Sequence, residues 1–455
     1  MKSYESATTT EILRRAKEII GLTINDLSPI DLPKSQALNK GEIGNLIQQY
    51  GFGIKPNSLA EPDFRGESIE LKIIPLTKGA NGYLRVKERT KVGMINYETL
   101  VHEQWESSHA KHKLSKILFI PVEHNYYDAR NSKILDAFLY KVEDVEEYST
   151  IQDDWERTKR LVAEGKAHSL SESQNKILAP SRSGSSNAKD WTSQPYSSEK
   201  ALKRAFSLKQ SYTNLVIQTR QKGDDIFSIS DEKAYGGKSI IDTILLKLNK
   251  WKGKTLYDFL KQENLTLGSG KNKNATLIRQ LLGLKSKGTV KEFEEIGLTI
   301  KVTPRNIETY KAYEQMSFPH QPFASIIEED DFEESQLRTY LQNFIFIPLL
   351  SSKKSEKDPK KIYFGKPVLW TPNEKELNEI RQEWELYRDT LKAGLTFTTK
   401  KVNSKKGFIT KTNLPKKSDT TWIHMRPHAR NSSDVDKSVD FNGKYCVKMS
   451  FWLNQ

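Results

Sequence analysis

Polar and apolar residues alternate over residues 68–73, and this period of two predicts a β-strand. The apolar positions share one face and belong to a core: Ile69, Leu71 and Ile73. Glu70 and Lys72 share the other face, about 7 Å apart along the strand. Asp63 lies upstream and reaches Glu70 if the chain turns at Gly66. The segment therefore predicts two carboxylates and one lysine on a single surface.

Apolar spacing also predicts elements outside this strand. They are helices over residues 10–20, 40–50 and 151–165, a strand over 117–121, a hairpin or loop over 79–96, and a Ser/Gly-rich loop over 181–200. A polar, glycine-containing stretch over 221–239 marks a domain boundary. The mixture of helices and strands predicts an α/β protein.

Several short motifs occur twice at a nearly constant spacing. Trp384 follows Trp155 by 384 − 155 = 229 residues, and each tryptophan lies among acidic residues. The sequence Phe-Ile-Pro that starts at Phe119 returns at Phe346, a spacing of 346 − 119 = 227. A repeat of this length indicates two copies of one domain.

The second copy of the strand keeps its apolar face but loses a carboxylate. Lys301 stands where Lys72 stands, whereas Thr299 replaces Glu70. A threonine hydroxyl is a poor substitute for a charged ligand of Mg²⁺. We therefore expect one active copy and one inactive copy.

The charge of the chain favours a polyanionic partner. Its 455 residues carry a net charge of +14, and a protein this basic has nucleic acid as its first candidate partner. Residues 1–220 hold 32 basic and 28 acidic side chains, and subtraction from the totals of 72 and 58 leaves 40 and 30 for the remainder. The second half, at +10 against +4, is the more basic one.

Other classes of protein fit the composition less well. We expect neither a membrane span nor a signal peptide, because the sequence has no long apolar run. The single cysteine, Cys446, excludes an internal disulfide and favours a reducing cytoplasm. One cysteine and eight scattered histidines do not give the spacing of a zinc finger.

Asp63, Glu70 and Lys72 together suit the hydrolysis of a phosphodiester. Carboxylate oxygens are ligands that Mg²⁺ prefers, and the ion polarises a phosphate. The lysine can orient a water molecule and offset charge on the phosphate. The alternative is that Glu70 and Lys72 only form a solvated face of a highly charged chain.

The motif around Glu70 resembles the PD-(D/E)xK nuclease motif, and longer segments resemble the mismatch-repair endonuclease family MutH, which nicks DNA at GATC. The segments are residues 40–44, 62–75, 105–114, 119–123, 204–209, 424–427 and 448–451. The two-copy layout is similar to the type II restriction enzymes of the Sau-three-A type, which cut both strands at GATC. The resemblance implies two tandem restriction-endonuclease-like domains, each a mixed sheet flanked by helices.

The resemblance also implies roles for individual residues. Asp63 and Glu70 would hold Mg²⁺, and Lys72 and Lys113 would be catalytic lysines. Tyr340 replaces Lys113 in the second copy. Gln48 stands where the family has a glutamate, and we expect it to orient a water molecule rather than bind the ion directly.

Six basic residues are candidate DNA contacts, and a solvated surface is the alternative for each of them. They are Lys40, Arg85, Arg89, His109, Arg182 and Arg426. His109 lies three residues from His112, so a metal pair is a further alternative for it.

The expected organisation is a catalytic domain over residues 1–222, a linker over 223–238 and an inactive, DNA-binding effector domain over 239–455. The expected reaction is Mg²⁺-dependent cleavage of both strands of DNA at GATC, which leaves 5′-phosphates. The expected partners are double-stranded DNA and a second copy of the chain on that DNA, with no obligate protein partner. A nicking repair endonuclease and a non-cleaving DNA-binding regulator are the alternatives.

Overall fold

A computed structural model describes most of the chain. The described ranges are 2–27, 41–57, 61–78, 84–125, 128–183, 190–222, 226–227, 239–266, 273–284, 289–329, 331–401, 408–427, 439–441, 444–446 and 449–454. The chain divides into two compact units, Met1–Ile217 with Phe323–Thr339, and Gln218–Pro322 with Tyr340–Gln455. None of the helices in the described ranges has the length and apolar character that a membrane span requires.

The first unit contains both helices and strands, as predicted. Its helices are α1 (Thr9–Glu18), α2 (Ile24–Leu27), α3 (Glu42–Leu46), α4 (Tyr97–Leu100), α5 (His109–Ser115), α6 (Tyr148–Ala163) and α7 (Gln210–Lys222). Its strands are β1 (Glu70–Lys78), β2 (Leu84–Val86), β3 (Thr90–Met94), β4 (Ile117–Glu123), β5 (Lys133–Ile134), β6 (Phe138–Tyr140), β7 (Leu178–Arg182), β8 (Trp191–Gln194), β9 (Ser197–Leu202) and β10 (Arg204–Leu208).

A mixed sheet at the centre of the first unit positions the predicted site. The strand order is β2-β1-β4-β5, and β6 also pairs with β4. β1 and β4 run parallel, with Lys72 opposite Phe119, whereas β2 is antiparallel to β1. The odd-numbered face of β1 packs into one apolar cluster, as the alternation predicts. The even-numbered face carries Glu70 and Lys72 first and then enters a second apolar cluster through Ile74.

A smaller antiparallel sheet, in the order β3-β10-β7, completes the first unit. The hairpin β8–β9 precedes β10 in the chain, so the prediction of a loop over residues 181–200 is wrong for residues 191–194 and 197–200, and also for residues 181–182 in β7. Polar side chains stabilise this hairpin from within: the buried Gln194 accepts a hydrogen bond from the Ala167 N–H at 2.7 Å and donates one to the Glu199 carbonyl at 2.6 Å. A polar composition therefore did not exclude a strand here.

The second unit repeats the same kinds of elements. After the short strand β11 (Ile226–Phe227), its helices are α8 (Ile240–Asn249), α9 (Leu256–Gln262), α10 (Lys273–Leu282), α11 (Lys291–Glu295) and α14 (Glu374–Ala393). Between α11 and α14 the chain forms α12 (Phe323–Glu328), which belongs to the first unit, and α13 (Gln336–Tyr340). The remaining strands are β12 (Thr289–Val290), β13 (Leu298–Asn306), β14 (Met316–Ser317), β15 (Asn343–Ser351), β16 (Tyr363–Phe364), β17 (Val368–Trp370), β18 (Phe397–Lys401), β19 (Phe408–Thr412), β20 (Ile423–Pro427), β21 (Val439–Phe441), β22 (Lys444–Cys446) and β23 (Met449–Leu453).

The predicted repeat is present in the strand pairing of the two units. In the second unit β13 runs parallel to β15 with Lys301 opposite Phe346, which matches Lys72 opposite Phe119. Trp155 and Trp384 are both fully buried, as expected for core residues.

Each unit also uses an acidic side chain on its long helix to fix the start of a strand. Asp154 accepts hydrogen bonds from the Ile177 and Leu178 N–H groups at 2.6 and 2.9 Å. Glu383, at a spacing of 383 − 154 = 229, accepts them from Trp422 and Ile423 at 3.0 and 2.8 Å. The two copies therefore share a scaffold that extends beyond the central strands.

Candidate active site

A tight turn brings Asp63 beside the start of β1. Phe64 and Ile69 exchange two backbone hydrogen bonds at 2.9 and 3.2 Å, and Ser68 adopts a left-handed conformation with φ 53°. Gly66 fits closely against the backbone of Ser6, because a Cβ added to it would lie 3.1 Å from the Ser6 Cα. The Asp63 carboxylate then accepts a hydrogen bond from the Leu71 N–H at 2.8 Å. The turn that was expected at Gly66 thus places Asp63 next to Glu70.

Glu70 is held between two lysines. It is 7% exposed, and each of its oxygens accepts one hydrogen bond, from Lys72 Nζ at 2.9 Å and from Lys113 Nζ at 2.7 Å. Lys113 comes from α5, whose first turn is capped by the Ser108 hydroxyl through the Lys111 N–H at 3.1 Å. Charge-assisted hydrogen bonds of this kind are short and strong. The structure therefore brings Lys113 to Glu70, which lies 43 positions earlier in the sequence beside Asp63 and Lys72.

The pKa of Asp63 is shifted mainly by burial and less by the neighbouring Glu70. Burial raises the pKa of the Asp63 carboxyl above its usual range, and the charge of Glu70 raises it further. The Leu71 N–H and the charges of Lys72 and Lys113 act in the opposite direction. Two neighbouring carboxylates disfavour ionisation of each other, and a divalent cation between them would relieve that repulsion.

Gln48 touches Asp63 directly. It lies in a π-helical turn, Ile47–Gly51, that follows α3, and its Nε2 donates a hydrogen bond to Asp63 Oδ1 at 2.7 Å. The amide therefore orients one candidate metal ligand. The helix predicted over residues 40–50 is present as α3 and this π-helical turn, which continues it to Gly51.

The carboxylates fit a hydrated Mg²⁺ better than a metal caged by protein. In the described residues, no group of three or more His, Cys, Asp or Glu side chains is arranged to hold a metal ion. Mg²⁺ is commonly bound through one or two carboxylates, with water and substrate phosphate as its other ligands. Asp63 and Glu70 supply that number of carboxylates, and they line a cavity of about 530 Å³ that is large enough for such ligands.

The predicted DNA contacts lie in different settings. Arg89 forms an ion pair with Glu172, and both side chains are nearly buried. Arg182 Nη1 lies 3.9 Å from Glu333 Oε1. Arg85 is half-buried in β2, and His109 is exposed at the start of α5.

The other two candidates are in separate parts of the chain. The exposed Arg426 in β20 places its guanidinium 4.5 Å from the centre of the Trp452 ring, a cation–π contact. Lys40 lies outside the described residues.

Two basic residues near the site were not predicted from the sequence, and neither was the glutamate that contacts them. Lys87 and His124 line the same cavity as Asp63 and Glu70. Both contact Glu328, which is more than 200 positions away in the sequence. Position gave a partial signal for His124, because it directly follows β4, the strand parallel to β1. No sequence pattern predicted the contact with Glu328.

The corresponding positions of the second unit have a different chemistry. Glu292, the counterpart of Asp63, is buried in α11. Tyr340, the counterpart of Lys113, stacks on Phe318 with ring centres 6.1 Å apart. Burial lowers the pKa of Lys301, and within the described residues no acidic side chain forms an ion pair with it. The second unit therefore keeps the lysine of the strand without the carboxylate beside it.

Comparisons with known proteins agree with the two-copy layout. The family model described as "DNA mismatch repair enzyme MutH" matches residues 52–154 and again residues 284–383. The type II restriction enzyme Sau3AI of Staphylococcus aureus is 29% identical over 490 aligned positions, which cover 100% of this chain and 98% of that enzyme.

Single-copy relatives match about half of the chain. The mismatch repair protein MutH of Vibrio campbellii is 30% identical over 220 positions, which cover 47% of this chain and 94% of that protein. The MutH protein of Shewanella baltica is 28% identical over 214 positions, which cover 46% of this chain and 93% of that protein. A chain of this length therefore has room for a second copy that those proteins do not contain.

Proposed function

This chain belongs to the MutH family, and we propose that it is a Mg²⁺-dependent type II restriction endonuclease that cuts both strands of DNA at GATC. The observation that carries the proposal is Glu70, held between Lys72 and Lys113 beside Asp63. The match to Sau3AI over the whole chain supports site-specific cleavage of DNA. The first unit would have the restriction-endonuclease-like PD-(D/E)xK fold.

The residues of the first unit divide the chemistry among them. Asp63 and Glu70 would hold Mg²⁺ through carboxylate oxygens, and Gln48 fixes the orientation of Asp63. When bound, the ion supplies Lewis-acid polarisation of the scissile phosphate. Lys72 orients the attacking water and stabilises the negative charge that develops on the phosphate. Lys113 adds a second positive charge and holds the other oxygen of Glu70, and hydrolysis leaves a 5′-phosphate.

The second unit would bind DNA without cutting it. Thr299 and Tyr340 remove one carboxylate and one lysine from the site, whereas Lys301 remains. Burial of the Lys301 ammonium group costs free energy, and a DNA phosphate bound beside that group would offset the cost. Binding of a second GATC there is proposed to stimulate cleavage by the first unit.

Contacts to the DNA would come from basic residues of both units. Lys40, Arg85, Arg89, His109 and Arg182 would contact DNA in the first unit, and Arg426 in the second. GATC is a palindrome, so a cut in both strands requires two active sites related by a two-fold axis. The proposed assembly is two copies of this chain on DNA in the cytoplasm, where a single cysteine needs no disulfide partner.

A nicking repair endonuclease is the second candidate, because MutH of Vibrio campbellii is covered almost completely by part of this chain. The remaining half of the chain favours the restriction enzyme. A non-cleaving regulator would not require the arrangement of Glu70 between two lysines.

One assay separates these functions. Plasmid DNA that contains GATC is incubated with the full chain in Mg²⁺ or in EDTA, and the products are resolved on a gel. We expect linear fragments with 5′-phosphate ends in Mg²⁺ and intact plasmid in EDTA. Nicked circles alone would favour the repair function, and intact plasmid in both buffers would reject cleavage altogether.

A further inference from the structure

We propose that residues 328–334, here called the acidic segment, place the side chains of Glu328, Glu333 and Glu334 in the path of the DNA backbone beside the active site, and that these side chains must leave before DNA is cut. The inference rests on the proposed function. It adds a built-in inhibitor to the nuclease and assigns Lys87 and His124 to the binding of DNA phosphates.

The acidic segment belongs to the first unit although it lies between elements of the second in the sequence. Its sequence is Glu-Glu-Asp-Asp-Phe-Glu-Glu. Glu328, Glu329 and Glu334 line the cavity that also contains Asp63 and Glu70. Glu334 lines a second, adjoining cavity with Lys72 and Arg182. Carboxylates of this segment therefore border the place where a DNA phosphate has to bind.

The carboxylate of Glu328 contacts two basic residues at the end of the central strands. Its Oε2 lies 3.1 Å from Lys87 Nζ and 2.9 Å from His124 Nε2. The backbone of each partner is fixed to β1, since the Lys87 N–H donates to the Pro75 carbonyl at 2.7 Å and the His124 N–H to Leu76 at 2.9 Å. These positions are three and four residues beyond Lys72, or about 10 to 13 Å along the strand. Neighbouring phosphates of a bound duplex would meet basic groups at such positions.

Glu333 contacts a second set of basic side chains. Its carboxylate receives a hydrogen bond from Arg338 Nε at 3.2 Å and lies 3.9 Å from Arg182 Nη1. Arg182 is one of the residues predicted from the sequence to contact DNA. Glu328 and Glu333 thus each contact basic side chains, and His124, Lys87 and Arg182 among these line the cavities at the active site.

The segment is built into the unit by hydrogen bonds rather than resting loosely on it. Glu329 Oε1 accepts from the Gln336 N–H at 2.8 Å, and the Ser335 hydroxyl accepts from the Arg338 N–H at 3.0 Å. Gln336 Nε2 donates to Thr77 Oγ1 on β1 at 3.3 Å. These buried hydrogen bonds hold the segment in one defined position on the first unit.

Electrostatics excludes a direct role for these acids in binding DNA. A carboxylate repels a phosphate, and it also repels the candidate metal ligands Asp63 and Glu70. The remaining role is to hold the basic groups until DNA replaces the carboxylates.

The repeat explains how such a segment arose. Ser335 caps α13 as Ser108 caps α5, at a spacing of 335 − 108 = 227. In the first copy this region delivers Lys113 to Glu70, whereas in the second copy it carries the acidic residues. The chain continues from the segment through α13 into β15 of the second unit. DNA bound to the second unit would stimulate cleavage if it favours the state in which the segment has left.

The first test replaces two acids of the segment with isosteric amides in the full chain, Glu328→Gln with Glu334→Gln. We expect a one-site plasmid to be cut about fivefold faster than by the wild-type chain, because the loss of an ion pair changes an equilibrium by roughly that factor. The control is Glu308→Gln with Glu314→Gln, which removes the same charge at exposed positions of the second unit. A variant no faster than this control would overturn the inference.

The second test follows the unmodified chain, so it does not depend on the folding of a variant. Amide hydrogen exchange is measured with and without a GATC duplex in EDTA. We expect exchange in residues 331–339 to become faster when DNA is bound, and unchanged or slower exchange would overturn the inference. Failure of the wild-type chain to cut DNA in Mg²⁺ would instead reject the proposed function, which keeps the two failures distinct.

Discussion

The two copies keep the same parallel strand pair but differ in the groups that carry charge beside it. Lys72 and Lys301 occupy the same register. Lys72 donates to a buried glutamate that a second lysine also holds. Lys301 lies next to a threonine, and Tyr340 in place of that second lysine stacks on an aromatic ring. Substitutions at three positions, with Glu292 in place of Asp63 as the third, therefore separate a candidate metal site from a strand that keeps only its lysine.

The shared features belong to the scaffold, and the differing features belong to the site. Asp154 and Glu383 perform the same backbone-binding task in the two copies, and the tryptophans that follow them are buried alike. Packing therefore constrains both copies equally. Only the first copy retains the charges that hydrolysis of a phosphodiester requires, which supports a division of labour between cleavage and DNA binding.

The largest expected effect comes from the carboxylate that the second copy lacks. Glu70→Gln should reduce the single-turnover rate of cleavage by about a thousandfold, because a neutral amide is a weak ligand for a divalent ion. Thr299→Ala and Glu292→Ala, at the matching positions of the second copy, should leave that rate unchanged. A rate near wild type for Glu70→Gln would show that the active site lies elsewhere.

Loss of the second lysine should have the next largest effect. Lys113→Ala should slow the chemical step by about a hundredfold, while the affinity for DNA changes much less, since the lysine bonds to Glu70. Tyr340→Phe is the control at the matching position. Single-turnover rates at saturating enzyme separate the two quantities, and an unchanged rate for Lys113→Ala would contradict the assigned role.

Gln48 should matter less, because it acts through Asp63. Gln48→Ala removes the hydrogen bond to Asp63 Oδ1 and should reduce cleavage by about tenfold, mainly by weakening the response to Mg²⁺. A titration with Mg²⁺ checks this, and additional Mg²⁺ should restore part of the activity. Equal loss at every Mg²⁺ concentration would argue against positioning of a metal ligand.

The smallest effect concerns the stability of the second copy. Burial lowers the pKa of Lys301, so the folded state disfavours its charged form. Lys301→Met should therefore raise the free energy of unfolding by on the order of 1 kcal/mol. The folded protein binds fewer protons than the unfolded chain between the lowered pKa and the ordinary value of 10.5. The gain should accordingly be largest at neutral and acidic pH and should vanish as the pH approaches 10.5.

The same substitution should weaken DNA binding by the second copy. Calorimetric melting at pH 7 and pH 10 tests the stability, and salt-dependent binding tests the contact with phosphate. Lys72→Met is the matched comparison, and it should not stabilise the protein because it removes a partner of Glu70. A lower melting temperature for Lys301→Met at pH 7 would contradict the explanation.

The central strand was predictable from the sequence because alternation has a simple physical meaning. Ile69 and Leu71 are buried on one face, and Glu70 and Lys72 share the other. Lys113 followed only from the family resemblance, since no local pattern links it to Glu70. The left-handed Ser68 that shapes the turn is an uncommon conformation for a residue other than glycine, and the sequence did not indicate it.

Long-range packing explains what the sequence did not predict. The hairpin β8–β9 depends on buried hydrogen bonds of Gln194, and these bonds have no signature in local composition. In the sequence the acidic segment lies within the second copy. Its position beside Lys87 and His124 depends on contacts across more than 200 residues.

The proposal that the first unit cleaves DNA while the second unit binds it is tested most directly with two plasmids of equal length. One plasmid carries one GATC site and the other carries two. If the second unit binds DNA and stimulates the first, we expect the two-site plasmid to be cut about tenfold faster than the one-site plasmid. A GATC oligonucleotide added in trans should then accelerate cleavage of the one-site plasmid. Equal rates for the two plasmids, with an oligonucleotide that only competes, would contradict the account.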